Sequence, residues 1–395
     1  MTTLTAHYAR ELTWPQLLTL VWGRWLVSLA FRMVYPLLGF LAASFAIDLT
    51  TASLLITVQV AASLLSPLGG ILSDSIGDRA TMIWGGFIFT IGAALCAISA
   101  TFTLFLFGYA VIGLAIAVGM PALQSYVSAR SRYERRARML GVLELSWALS
   151  ALLGVPLITW GAERWGIAPI FTGLTIAGGV MVISYIMLPN DAQPSSRQSH
   201  RPASANHLWH LLRQPSILAA LGVIFIQLAA VELIFISYAG WLSSAFNATT
   251  AELGFVFGLL GVVELIGSLG ATLFTDRIGK LRAVLGGFLL VGVWLLLLLQ
   301  SGSWPVFLVL LLAFDLCFEF AIVSAFPLIS GLSAQRRGAL LAMMTACIGG
   351  GRIIGSLAGP WISATAGYPL NSTIAGILAL IGVGIGFLFM KEGDA

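Results

Sequence analysis

Eight ionisable side chains stand inside stretches otherwise built of leucine, isoleucine, valine, phenylalanine, alanine and glycine: Arg24, Arg32, Glu144, Glu232, Glu264, Asp315, Glu319 and Arg352. A charge at the centre of a lipid-spanning helix costs at least about 2.5–3.5 kcal/mol on insertion scales, so each is a candidate for binding or coupling. Three cations against five carboxylates leave negative charge in excess, which predicts that some carboxylates hold a proton part of the time. Asp315 and Glu319, four apart, share a helical face and cannot comfortably both ionise in a low dielectric. Arg352 facing them would compete with a proton for the same oxygens, a workable coupling device; the alternative is a permanent structural ion pair. Glu264 is the second candidate proton carrier, and Glu232 is expected nearer the outer end of its helix. Arg32, followed by Tyr35 and Pro36, is a candidate anion hook, because a guanidinium grips a carboxylate or phosphate through paired N–H groups; neutralising a carboxylate elsewhere is an equal alternative. Arg24 and Glu144, each about 9 Å from the cytoplasmic ends of their helices at 1.5 Å per residue, read as mutual partners.

Other chemistries find no support. The four histidines, His7, His200, His207 and His210, lie in the N-terminal segment or a polar linker, so no buried imidazole offers a base or a metal ligand. Cys96, Cys317 and Cys347 fall in apolar runs without CxxC spacing, which suggests neither a disulfide framework nor a zinc site. No Gly-x-x-x-x-Gly-Lys-Ser/Thr loop is present, so ATP-driven pumping is not indicated. The pattern predicts no enzyme, no metal and no cofactor. The basic residues, although they give a net charge of +4, are dispersed over short loops and do not predict nucleic-acid binding.

The elements that must position these residues follow from composition. Of 395 residues, 59% are hydrophobic and 9% charged, with a mean hydropathy of +0.98. A soluble domain carries about 25% charged residues, so this chain belongs in a bilayer. Twelve apolar runs reach the roughly 20 residues a spanning helix needs: 18–45, 52–72, 81–100, 104–127, 139–161, 167–188, 215–243, 251–273, 282–300, 304–331, 338–363 and 369–390. They are too long and continuous for barrel strands. Sixteen of the 20 lysines and arginines then fall on one side, Arg164 on the other and three within spans. The positive-inside rule places both termini and the long central loop in the cytoplasm. No cleavable signal peptide is visible, so the first span is expected to remain. Trp14, Trp160, Trp165, Trp241 and Trp304 stand near span ends, as interfacial anchors do.

The one long polar segment, 189–214, divides the spans six and six. The expected organisation is therefore a bundle over 1–188, a cytoplasmic linker over 189–214 and a second bundle over 215–395. An element recurs between the second and third spans of each half: Gly70-Ile-Leu-Ser-Asp74-Ser-Ile-Gly77-Asp78-Arg79, and Gly270-Ala-Thr-Leu-Phe-Thr-Asp276-Arg277-Ile-Gly279-Lys280. In each copy an aspartate precedes a glycine by three residues. The charges are expected to make contacts that form in one conformation and break in another, with Arg79 pairing with carboxylates or helix C-terminal carbonyls; the alternative is a tight glycine turn with solvated charges. Gly154-Val-Pro156 in the fifth span echoes Gly359-Pro360 in the eleventh.

These features resemble the major facilitator superfamily over nearly the whole chain. The element beginning at Gly70 is similar to that family's loop motif, and Gly154-Val-Pro156 to the proline-bearing fifth-helix motif of its drug and sugar efflux branch. The resemblance implies twelve transmembrane helices in two pseudo-symmetric six-helix bundles, with helices one, four, seven and ten lining a cavity and the loop motif locking the outward-facing state. Tyr109-Ala-Val-Ile112-Gly113 stands where efflux members carry Arg-x-x-Gln-Gly, so the relay arginine has no counterpart in Tyr109. The expectation is a secondary transporter, a proton-coupled exporter of small organic or amphipathic molecules, acting as a monomer in the plasma membrane (bacterial inner membrane). Its partners are the cargo, protons and the lipid bilayer. Uptake of an anionic solute or lysolipid is the second expectation, and a non-transporting membrane sensor or scaffold the third.

Overall fold

The computed structural model describes residues 12–130, 139, 142–143, 146–190, 213–298, 302–333 and 337–391. The described residues form helices and no strands, as lipid demands of a backbone that must satisfy its own hydrogen bonds. In order they are α1 (Trp14–Arg32), α2 (Val34–Ser44), α3 (Leu49–Ser63), α4 (Ser66–Ile76), α5 (Asp78–Ala97), α6 (Phe102–Ala129), a π-helical turn (Ser150–Gly154) running into α7 (Val155–Trp165), and α8 (Ile167–Ile186). The second half supplies α9 (Pro215–Phe235), α10 (Tyr238–Phe246), α11 (Thr250–Ile278), α12 (Lys280–Leu297), α13 (Trp304–Gly331) and α14 (Arg337–Phe389).

Eight helical stretches among the described residues are long and apolar enough to cross a membrane, nine with the bent α1–α2 pair. Several spans are broken, which reconciles this number with twelve. Pro36 cannot donate an N–H, and α1 and α2 meet at a 51° bend, as proline kinks do. The π-helical turn precedes Pro156, where the ladder also lacks a donor. α14, at 53 residues, would be about 80 Å long if straight; Gly367 (φ 84°, ψ 158°) interrupts it and makes two spans. Gly77 (φ 94°) and Gly279 (φ 94°) take the same left-handed turn between α4 and α5 and between α11 and α12. A backbone there favours glycine because it has no Cβ to clash, so the two copies of the repeated element share a turn geometry.

Packing divides the described residues into two compact units, one drawn from those within 1–32, 62–150 and 164–199, the other from those within 33–61, 151–163 and 200–395. The first unit packs α5 against α6 and α8; the second packs α9 against α14 and α11 against α13. In the second unit segments of three first-half helices, α2, most of α3 and most of α7, join helices of the second half.

Candidate functional site

The second unit assembles its polar centre through small residues. Along α14, Gly351, Gly355 and Gly359 recur every four residues, and each faces α9 so closely that a Cβ would meet backbone: Phe225 O at 2.4 Å from position 351, Ala229 O at 2.7 Å from 355 and Leu233 O at 2.9 Å from 359. Backbone-to-backbone approach of this kind is what small residues at four-residue spacing allow in lipid. It brings Arg352 onto Glu232. The Arg352 Nε donates to Glu232 Oε2 at 3.0 Å, and Tyr35, on the bent start of α2, donates its hydroxyl to Glu232 Oε1 at 2.7 Å. The Arg352 Nη2 donates to the same tyrosine oxygen, closing a ring of three bonds. Glu232 is 2% exposed. The Tyr35 ring stacks on Phe257, with centroids 6.2 Å apart. One turn further along α14, Ser356 Oγ meets Thr57 Oγ1 of α3 at 2.9 Å.

The ion pair expected between Arg352 and the Asp315–Glu319 face is thus formed with Glu232 instead. The physical reason is the glycine stripe, which draws α14 onto α9 and leaves the guanidinium within reach of the seventh span. Nothing in residue type or spacing names that partner, and Tyr35 figured in the sequence only as a neighbour of the anion-hook candidate Arg32; the repeated glycines are the available signal. Glu319 accepts from Ser268 Oγ at 2.6 Å, and Thr275 and Ser324 hydroxyls meet at 2.6 Å further along the same two helices. Asp315, 1% exposed, and the half-buried Glu264 stand one turn earlier on each helix in the same register, so α11 and α13 carry a polar seam.

The remaining candidates are spread over both units, and some lie outside the described residues. Glu144, the expected partner of Arg24, lies outside the described residues; Arg24 sits with Nη1 3.3 Å from Met120 Sδ and its guanidinium carbon 5.6 Å from the Trp147 ring centroid. Arg32 is buried, 4.7 Å from the same centroid, so one indole stands within cation–π range of two guanidiniums. Tyr109 is buried and donates its hydroxyl to Ala30 O. Arg79 caps the end of α8: its Nε donates to Tyr185 O at 3.3 Å, its Nη2 to Ile186 O and its Nη1 to Asn190 Oδ1. Arg130 donates to Asn190 O at 2.9 Å. The side chain of Asp74 is outside the described set; Asp276 and Arg277 are exposed, Lys280 opens α12, and Gly70 has open space where a Cβ would stand. Gly154 ends the π-helical turn and Pro156 packs toward Gly258. Among the described residues no cluster of three or more metal-ligating side chains occurs.

Broken helical spans, a doubled six-helix pattern with matching glycine turns, and an ion pair buried between spans define a membrane transporter fold. The Major Facilitator Superfamily profile matches residues 20–239 and 220–395, and the chain belongs to that family, whose members are transporters and not enzymes. It is similar to the uncharacterized MFS-type transporter YwfA of Bacillus subtilis (32% identity over 130 residues, 32% of this chain and 31% of that one). It is also similar to the minor myo-inositol transporter IolF of the same organism (28% over 260 residues, 61% and 58%). The chain therefore spans less than two thirds of either relative. The fold matches a crystal structure of a D-xylose–proton symporter with a TM-score of 0.77 at 17% identity, covering 95% of this chain and 97% of that one.

Proposed function

We propose that the protein is a secondary active transporter that exports small organic or amphipathic molecules in exchange for protons, as a monomer in the plasma membrane with both termini in the cytoplasm. The sequence halves, 1–188 and 215–395 joined by 189–214, are the bodies that move. The observation that carries the reading is the buried Tyr35–Glu232–Arg352 ring. Ionised Glu232 ties together a tyrosine from the first half and an arginine from the second; a proton on Glu232 removes the charge that holds Arg352, and the tie loosens. Proton binding and the charge-assisted bonded state oppose each other, which is what coupling a gradient to a conformational change requires. Asp315, Glu319 and Glu264 are proposed as a second station on the seam between α11 and α13, and the loop elements at Gly70–Arg79 and Asp276–Lys280 as gating contacts.

The test is Glu232→Gln in proteoliposomes, with an amphipathic fluorescent dye, myo-inositol and xylose as first probes. Glutamine imitates the protonated acid. Accumulation driven by a pH gradient is expected to fall at least about tenfold, the effect of roughly 1.4 kcal/mol of lost coupling, while exchange without a gradient persists. Undiminished gradient-driven accumulation would exclude Glu232. A second direction, uptake of an anionic solute, is favoured by one observation, the buried guanidinium of Arg32 held beside Trp147; flux inward that requires an anionic probe and is lost in Arg32→Met would select it.

A further inference from the structure

Immediately beyond Glu232 the ladder of α9 fails. Ser237 N turns back to Ile234 O at 3.0 Å, leaving the Leu233 carbonyl open, and Asn371 Nδ2 fills it at 2.8 Å while donating also to Ser237 Oγ at 3.1 Å. One turn further along α10, the Trp241 ring stacks on Tyr368 with centroids 4.9 Å apart and planes 13° apart. Tyr368 precedes Asn371 by three residues, so the two lie on one face of the second part of α14. Two rungs result, Ser237 with Asn371 and Trp241 with Tyr368. Each leaves polar atoms that find no hydrogen-bond partner among the described residues: Asn371 Oδ1, Tyr368 OH and Trp241 Nε1. Asn371 is 0% and Tyr368 5% exposed. Buried polar groups in this condition are costly unless something small supplies the missing bonds.

We infer that a file of water molecules runs through the second unit from Trp241, past Tyr368 and Asn371, to Glu232, and carries protons to that carboxylate from the outer side by a route of its own. The inference rests on the proton-coupling reading and adds the route. Water fits because the three groups are neutral, mix donor and acceptor, and stand in sequence; a buried water asks for two to four such partners. Glu232 to Trp241 is about 13 Å by helical rise, the length of a few waters in file. Trp241 is half-buried at the end of the span that the lysine and arginine distribution assigns to the outer face. Among the described residues, the charged and titratable groups bonded to Glu232 are Arg352 from α14 and Tyr35 from α2; α11 presents Phe257 to Tyr35, and Tyr238 and Tyr368 follow toward the far end of the pair. In the transfer, a hydronium at the outer end gives a proton to the first water, each water accepts one proton and passes another on, and the last gives its proton to the Glu232 carboxylate. Water is regenerated, Glu232 becomes a neutral acid, and Arg352 stays cationic.

Two measurements on the purified full chain decide it. Radiolytic hydroxyl-radical footprinting of the wild type is expected to oxidise Trp241 and Tyr368 despite their buried polar atoms, because radicals form in water held beside them, with buried Tyr109 as the unlabelled control; labelling no greater than that of Tyr109 would overturn the proposal without any variant. Time-resolved infrared after an acid jump follows the carboxylic carbonyl band that Glu232→Gln lacks. Tyr368→Phe, which keeps the ring stack, and Asn371→Leu are expected to slow its appearance about tenfold, as a barrier raised by roughly one lost hydrogen bond does. An unchanged rate in both variants removes the path and leaves the coupling reading standing. Absence of the band in the wild type at every pH removes both.

Discussion

Glu232 keeps its two oxygens on Tyr35 and Arg352 at 2.7 and 3.0 Å, whereas Asp48, in the turn before α3, spends its two on Thr51, taking the backbone N–H at 2.8 Å and the hydroxyl at 3.0 Å. Those two bonds favour the charged form and hold the Asp48 carboxyl below the usual carboxylate range. The sign follows: the stabilisation is complete above the unfolded-state value and is lost as pH falls through the lower folded-state value. Thermal melts are therefore expected to show Asp48→Ala less stable than wild type at neutral pH, with the gap closing below about pH 4. Glu319 offers a different experiment at this scale. Glu319→Gln keeps an acceptor for Ser268 Oγ and removes the charge, so gradient-driven flux is expected to fall while the melting temperature holds. Unchanged flux would leave Glu232 without this proposed second station.

Between α9 and α14, the helix pair rather than any single contact sets the geometry of the ring. Gly355 is the point of closest control, since a Cβ there would meet Glu232 Cβ at 2.6 Å as well as Ala229 O. Gly355→Ala forces the helices apart, and overpacking of this kind costs about 1–3 kcal/mol. A lower melting temperature is expected together with weakened dependence of flux on pH, because Arg352 no longer reaches its carboxylate. Gly222, on the same α9 with open space where a Cβ would stand, is the control: Gly222→Ala gains helix propensity, and its melting temperature is expected to hold or rise. The bends at Pro36 and before Pro156 belong to the same scale. They interrupt α1–α2 and the fifth span where packing passes from the first unit to the second, and the first of them sets Tyr35 beside the proline that makes the bend.

For the molecule as a whole, the second unit contains contacts between the sequence halves that an exchange of conformations must break. Thr57 and Ser356 are one such pair, with oxygens 2.9 Å apart, a separation compatible with Cβ atoms at disulfide distance. In a background without Cys96, Cys317 and Cys347, the double variant Thr57→Cys, Ser356→Cys is expected to lose transport on oxidation and recover it on reduction; full transport in the oxidised form would refute alternating access through this contact. Membership of the membrane class, the number of spans and the repeated loop were legible in the chain, because lipid imposes length and apolarity on each segment independently. So were the glycine turns at Gly77 and Gly279, whose backbone angle selects that residue locally. Which ions meet was not legible. Arg352 lies 120 residues from Glu232 and 317 from Tyr35, and the choice of Glu232 over Asp315 and Glu319 came from how closely a glycine face lets two helices approach. Open ladder carbonyls and stranded amides likewise arise only once a helix breaks against its neighbour, so the row from Trp241 to Glu232 belongs to the tertiary structure alone.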